Sequence, residues 1–68
     1  MREVRFNAVE LALITVMRRQ PYNWFTTNEL ADRIKVAWET ADKNLLSLYK
    51  KGYLVKGKKK ERIYWRLY

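Results

Sequence analysis

Five cations crowd one short stretch near the C-terminal end: Lys56, Lys58, Lys59, Lys60 and Arg62, interrupted only by Gly57 and Glu61. Ammonium and guanidinium groups at that density are suited to holding phosphate oxygens, either as point charges or through paired N–H donors. Their placement is not that of a solubilising charge. Residues 50–68 carry a net +7, whereas the first 49 residues carry +1 of the total of +8. A polyanion is therefore the expected partner, nucleic acid ahead of an anionic membrane. The plainer reading is a solvated charge run at a hairpin end, where lysines discourage edge-to-edge pairing.

Other chemistry is poorly supplied. The chain has no His and no Cys, so the usual general base, the thiol nucleophile and nitrogen or sulfur metal ligands are missing. Glu29 with Asp32, and Glu39 with Asp42, are paired acids, but each pair lies near a helix start, where the helix dipole favours negative charge. There is no glycine-rich phosphate loop. The expectation is a binding protein, not an enzyme, with no metal, no cofactor and no small-molecule ligand.

The elements that must position the cations can be read from caps and periodicity. Asn7 with Glu10 three residues on is a capping pair that opens a first helix of about 7–19. Val9, Ala12, Leu13, Val16 and Met17 make its apolar stripe. Leu11 and Ile14 lie off that stripe and suggest a partner surface, with self-association as one form of it. Pro21 stops the helix. Tyr22–Phe25 suits a bend and a short β-bridge. Thr26 with Glu29 is a second capping box and opens a helix of about 27–34. A third helix of about 38–51 carries Ala41, Leu45, Leu48 and Tyr49 on its apolar line, and Gly52 stands where a left-handed residue ends it. From Tyr53 the period becomes two, which predicts a hairpin over 53–67 with its turn at Gly57–Lys60 and with Ile63, Trp65 and Leu67 facing inward. Val4–Phe6 reads as a short strand or a leader.

With 68 residues, three Trp, five Tyr and two Phe, the expectation is one domain over 1–68 whose small core is filled by aromatics. Trp24, Phe25, Tyr53, Trp65 and Tyr68 are assigned to it. No apolar run approaches a membrane span and no signal peptide is visible, so a cytoplasmic location is expected, on the nucleoid in a prokaryote. One Gln, no Cys and abundant charge are the composition expected of a thermophilic or archaeal source.

Thr26-x-x-Glu29-Leu30-Ala31, Ile34-Lys35-Val36-Ala37, Leu45-x-x-Leu48 with Gly52-Tyr53-Leu54, and the closing Ile63-Tyr64-Trp65-Arg66-Leu67 resemble the winged helix-turn-helix domains of bacterial and archaeal transcription regulators. The resemblance covers residues 7 to 68. It implies an α+β winged helix: a three-helix unit, a two-stranded wing and a short third strand near Phe25. It also implies double-stranded DNA as partner, with the third helix at the major groove through Trp38, Glu39, Thr40, Asp42, Lys43 and Ser47. The wing, through Lys56, Lys58, Lys59, Lys60 and Arg62, would then lie on phosphates and the minor groove. A homodimer is expected, with Leu11, Ile14 and Leu46 as candidate interface residues.

This sequence departs from the family in one respect. Residues 37–49 carry a net −1. Either Glu39 and Asp42 accept hydrogen bonds from cytosine N4, or the helix does not dock in the usual way. Trp38 packs on the second helix or stacks on a sugar or base. Alternatives to a sequence-specific regulator are an architectural or replication-associated DNA binder and a protein-interaction module that kept the fold.

Overall fold

A computed structural model describes residues 5–68. The elements run α1 (Ala8–Arg18), β1 (Phe25–Thr26), α2 (Thr27–Ile34), α3 (Trp38–Lys50), β2 (Leu54–Lys59) and β3 (Arg62–Leu67). The strands form one antiparallel sheet in the order β1-β3-β2. Three helices packed on such a sheet, with β1 joined to the outer side of the hairpin, make an α+β winged helix. Of the strand-or-leader segment Val4–Phe6, Val4 lies outside the described residues, and Arg5 and Phe6 precede α1 without regular structure.

Two capping boxes start the first two helices. The Asn7 side chain accepts from the Glu10 N–H at 2.7 Å, and the Glu10 carboxylate accepts from the Asn7 N–H at 2.9 Å. Thr26 and Glu29 repeat the arrangement for α2. Helix α3 ends in a Schellman motif. Gly52 has φ +88°, the Tyr53 N–H donates to the Leu48 carbonyl and the Gly52 N–H to that of Tyr49, both at 3.0 Å. Only glycine takes that φ without steric cost, so the chain reverses here and enters β2.

The core joins all layers: Leu13 and Met17 from α1, Leu30 from α2, Leu45 and Leu48 from α3, and Phe25, Leu54 and Trp65 from the sheet. Trp65 is fully buried, and its indole N–H donates to Thr27 Oγ at 3.0 Å. That bond satisfies the one polar atom of the indole and fixes the centre of β3 against the start of α2.

The hairpin departs from the expected turn. Pairing continues through Gly57↔Tyr64, Lys58↔Ile63 and Lys59↔Arg62, so Gly57–Lys59 belong to β2 and the loop is Lys60-Glu61 alone. Both loop residues have positive φ, 48° and 66°, as a two-residue type I′ turn requires. The strand-matching twist of that turn prevails over the poor fit of Lys and Glu to it. Trp65 faces inward as expected and Leu67 is half-buried, but Ile63 is 39% exposed, because it lies toward the tip, beyond the helical layer.

Three core assignments are corrected. Trp24 is 41% exposed: it precedes buried Phe25 and lies on the opposite face of the sheet. Tyr68 is 92% exposed, because it follows β3 and is bonded only through its backbone, to the Tyr53 carbonyl. Tyr53 is 38% exposed, because it lies in the link between α3 and β2 and only meets Phe6 edge-on at 5.1 Å.

A polar seam between α1 and α3 was not apparent from the sequence. Glu10 is 2% exposed. Its carboxylate accepts from Ser47 Oγ at 2.9 Å and from Lys51 Nζ at 2.9 Å. One turn away, Asn7 donates to Asn44, which donates in turn to the Thr40 carbonyl. Asn44, Ser47 and Lys51 recur at helical spacing, so one stripe of α3 is committed to α1. Burial pushes the Glu10 pKa up, but the bonds from Lys51, the Asn7 N–H and Ser47 together outweigh it and hold the pKa below 4.5.

Because the folded-state pKa is depressed, this stabilisation is complete above pH 4.5 and is lost as pH falls through the folded value. Glu10→Gln should therefore lower stability by about 2 kcal/mol at neutral pH and flatten the acid limb of a melting-temperature profile. An unchanged acid limb would remove Glu10 from this role. Replacing Lys60-Glu61 by Asn-Gly should raise stability by about 1–2 kcal/mol, as read by chemical denaturation. A loss would mean that the tip is not a type I′ turn.

Candidate nucleic-acid interface

The recognition-helix candidates do not all share one fate. Trp38 is 49% exposed, Glu39, Thr40 and Lys43 are exposed, and Asp42 is half-buried. Ser47 is different: its hydroxyl donates to Glu10, so it is occupied in the α1 seam. Lys50, which sequence reasoning did not select, lies with Trp38, Glu39, Asp42, Lys43 and Leu46 along one shallow groove of α3, whose edge toward the seam is formed by Ser47 and Lys51. Its spacing of seven from Lys43 was the available signal. Ala37 caps α3 without any side-chain hydrogen bond.

The wing candidates divide between the two faces of the hairpin. Alternation and register put Lys56 and Lys58 on the face of Trp65 and Ile63, toward the helices, and Lys59 and Arg62 on the opposite face with Gly57 and Tyr64. Lys56 Nζ sits 5.8 Å from the ring centres of both Tyr49 and Trp65, so its charge is held against α3 as a cation–π contact. Lys58, Lys59, Lys60 and Arg62 are exposed. Among the described residues none of these four forms an ion pair. The tip is therefore a cluster of uncompensated positive charge.

These two parts form one surface. A second groove is lined by Thr27 and Asn28 at the start of α2, Trp38 and Asp42 on α3, and Arg62 and Ile63 on the wing. Trp38 and Asp42 also line the α3 groove, so the exposed side of α3 runs without a break into the wing. Asn28 and Ile63 were not anticipated, because their membership depends on where the wing tip comes to rest. The charge along this surface is graded: Glu39, Asp42 and Glu61 lie at the α3 start and the wing turn, and Lys43 and Lys50 lie further along α3.

The candidate interface residues separate likewise. Leu11 is 51% exposed, whereas Ile14 and Leu46 are half-buried against the core. Leu11 and Ile14 line an apolar groove with Phe6, Tyr53, Leu67 and Tyr68. Among the described residues no helix is long and apolar enough to cross a membrane.

No protein-family model and no curated protein sequence matches the chain. Comparison of structures finds the same fold in a solved protein of Methanosarcina mazei Go1 described as a possible transcriptional regulator. The two superpose with a TM-score of 0.86 over 93% of this chain at 16% sequence identity. The matched region spans 57% of that protein's length. At this identity the likeness establishes the fold.

If Ser47 serves the seam, Ser47→Ala should cost about 1 kcal/mol of stability and leave affinity for duplex DNA unchanged. A fall in affinity without a fall in stability would return Ser47 to the recognition surface.

Proposed function

We propose that the protein binds double-stranded DNA as a small transcriptional regulator, with α3 at the major groove and the wing on phosphates and the minor groove. The observation that carries this reading is the continuity of the exposed α3 side with a wing tip bearing four unpaired cations. An α-helix fits the major groove of DNA, and a charged hairpin beside it suits the adjoining phosphates and minor groove. The Methanosarcina neighbour supports a regulator in general terms.

In this reading Lys58, Lys59, Lys60 and Arg62 hold phosphates, and Lys43 and Lys50 do the same from α3. Trp38, Glu39, Thr40 and Asp42 face base edges. A carboxylate survives there by accepting from cytosine N4, so sites rich in cytosine opposite the α3 start are favoured. A second copy packs on the Leu11 groove, which sets two half-sites about one helical turn apart. The protein acts in the cytoplasm, on the nucleoid, by binding and not by catalysis. An architectural binder anchored by the wing alone is the second reading, favoured by the acidic start of α3.

Fluorescence anisotropy on duplexes of varied sequence tests both. With six phosphate contacts the logarithm of affinity should fall against the logarithm of salt with a slope of about −5. Lys58→Ala/Lys59→Ala/Lys60→Ala should reduce the slope to about −3 and weaken binding at least tenfold. No binding in low salt would overturn both readings. Binding that ignores sequence, and is indifferent to Glu39→Gln, would favour the second.

A further inference from the structure

The face of the hairpin turned away from α3 shares Lys59 and Arg62 with the duplex reading but adds Trp24, Tyr64 and Arg66, which that reading does not use. Its outward residues are Val55, Gly57 and Lys59 on β2, and Arg62, Tyr64 and Arg66 on β3. Trp24 lies over them. A methyl group built on Gly57 would come within 2.9 Å of the Trp24 ring, so the indole rests directly on the β2 backbone. The Arg66 guanidinium stands 5.1 Å from the indole centre. Even so, 41% of Trp24 remains exposed.

The charges on this face have no counterpart. Lys59 and Arg62 are direct cross-strand partners, an arrangement that like charges destabilise unless an anion lies between them. None of Lys59, Arg62 and Arg66 forms an ion pair among the described residues. Arg66 Nε is buried and has no hydrogen-bond partner. No outward residue of β2 or β3 is acidic. Glu61 instead lines the groove on the α3 side, which Arg62, at the edge between the two faces, also borders.

We propose that this outer face is a second nucleic-acid site, which takes an unpaired strand by stacking a base on Trp24 and seating the adjoining phosphate between Lys59 and Arg62. Three properties of the face select that occupant. A flat indole that is braced by backbone and guanidinium and still 41% exposed is a stacking platform for any base. Duplex DNA cannot use it, since its bases are already stacked inside the helix. An acidic peptide would satisfy the cations but leaves the indole uncovered, and a membrane surface would need more exposed apolar side chains than one Trp and a half-buried Val55 supply. The outward pairs Gly57↔Tyr64 and Lys59↔Arg62 are two residues apart along the strands, about 6.6 Å, which sets base and phosphate at neighbouring positions of one extended strand. The site does not depend on the duplex reading. Together the two would place the wing at a junction between paired and unpaired DNA.

The probe is a short oligothymidylate, which forms no duplex. Trp24→Ala should weaken its binding about tenfold while leaving duplex affinity within about twofold, as stacking contributions predict. Equal loss for both probes, or no loss for oligothymidylate, would overturn the proposal. Because Trp24 also covers the sheet, a second measurement stands on the intact protein. Titrating oligothymidylate into the labelled wild type should move the Trp24 indole N–H and the Gly57 and Tyr64 amides by NMR. Shifts confined to α3 and Ile63, or none at all, would assign the strand to the other face or to no site.

Discussion

The bond from the Trp65 indole to Thr27 and the burial that surrounds it set the register on which every other surface depends. Trp65 is opposite Phe25 on one side and Lys56 on the other. A slip of one residue would turn Trp65 to solvent and reverse both faces of the hairpin. With Trp65 inward, Lys56, Lys58 and Ile63 must face α3, and Gly57, Lys59, Arg62, Tyr64 and Arg66 must face away. The same side chain meets Tyr49 edge-on at 6.1 Å, so sheet, α2 and α3 are fixed to one another at a single point. Full burial of an aromatic of this size removes roughly 150–250 Å² from water, a large share of the stabilisation in a domain this small.

The polar seam flanks that apolar centre along one side of α3. Glu10, Ser47 and Lys51 on one level, and Asn7 and Asn44 on the next, fix the rotation of α3 about its axis. An apolar contact there would tolerate a few degrees of roll. Hydrogen bonds between named atoms do not, because an unsatisfied buried carboxylate is far costlier than a loosened methyl contact. Rotation decides which residues of α3 reach outward. By committing Asn44, Ser47 and Lys51 to α1, the seam leaves Glu39, Lys43 and Lys50 as the outward set.

Much of this was legible in the residues themselves. The capping boxes at Asn7 and Thr26, the glycine stop at Gly52 and the change of period after it are local signals, and local geometry obeys them. The winged-helix architecture follows from their order. What could not be read was non-local. Glu10 looked complete as a capping residue, and its burial depends on α3 lying alongside. Ser47 looked outward by periodicity, but the buried stripe of α3 is widened by polar partners that a hydrophobic pattern does not register. Trp24 looked like core because large aromatics usually are, yet its neighbour Phe25 had already taken the inward position. Gly57 looked like a turn glycine. Its role is to admit the Trp24 ring, which only the tertiary structure reveals.

Where the chain breaks local rules, the breaks cluster. Lys60 and Glu61 take positive φ without being glycine, Lys59 faces Arg62, Ala37 caps α3 with no acceptor, and Trp24 and Trp38 stay half-exposed. The interior, by contrast, is consistent among the described residues: α1 and α2 have complete capping boxes, the buried Glu10 carboxylate is bonded to Ser47 and Lys51, and the buried Trp65 indole has its acceptor. Sequences selected for stability alone do not distribute conflict in this way. In the proposed reading, each break at the wing and at the α3 start would be relieved by the same kind of ligand, an anionic polymer with exposed or groove-accessible bases. Phosphates would neutralise the opposed cations and approach an uncapped helix start, and bases would cover the indoles. On that reading, the stability forgone at that end of the molecule is the form in which binding capacity is held.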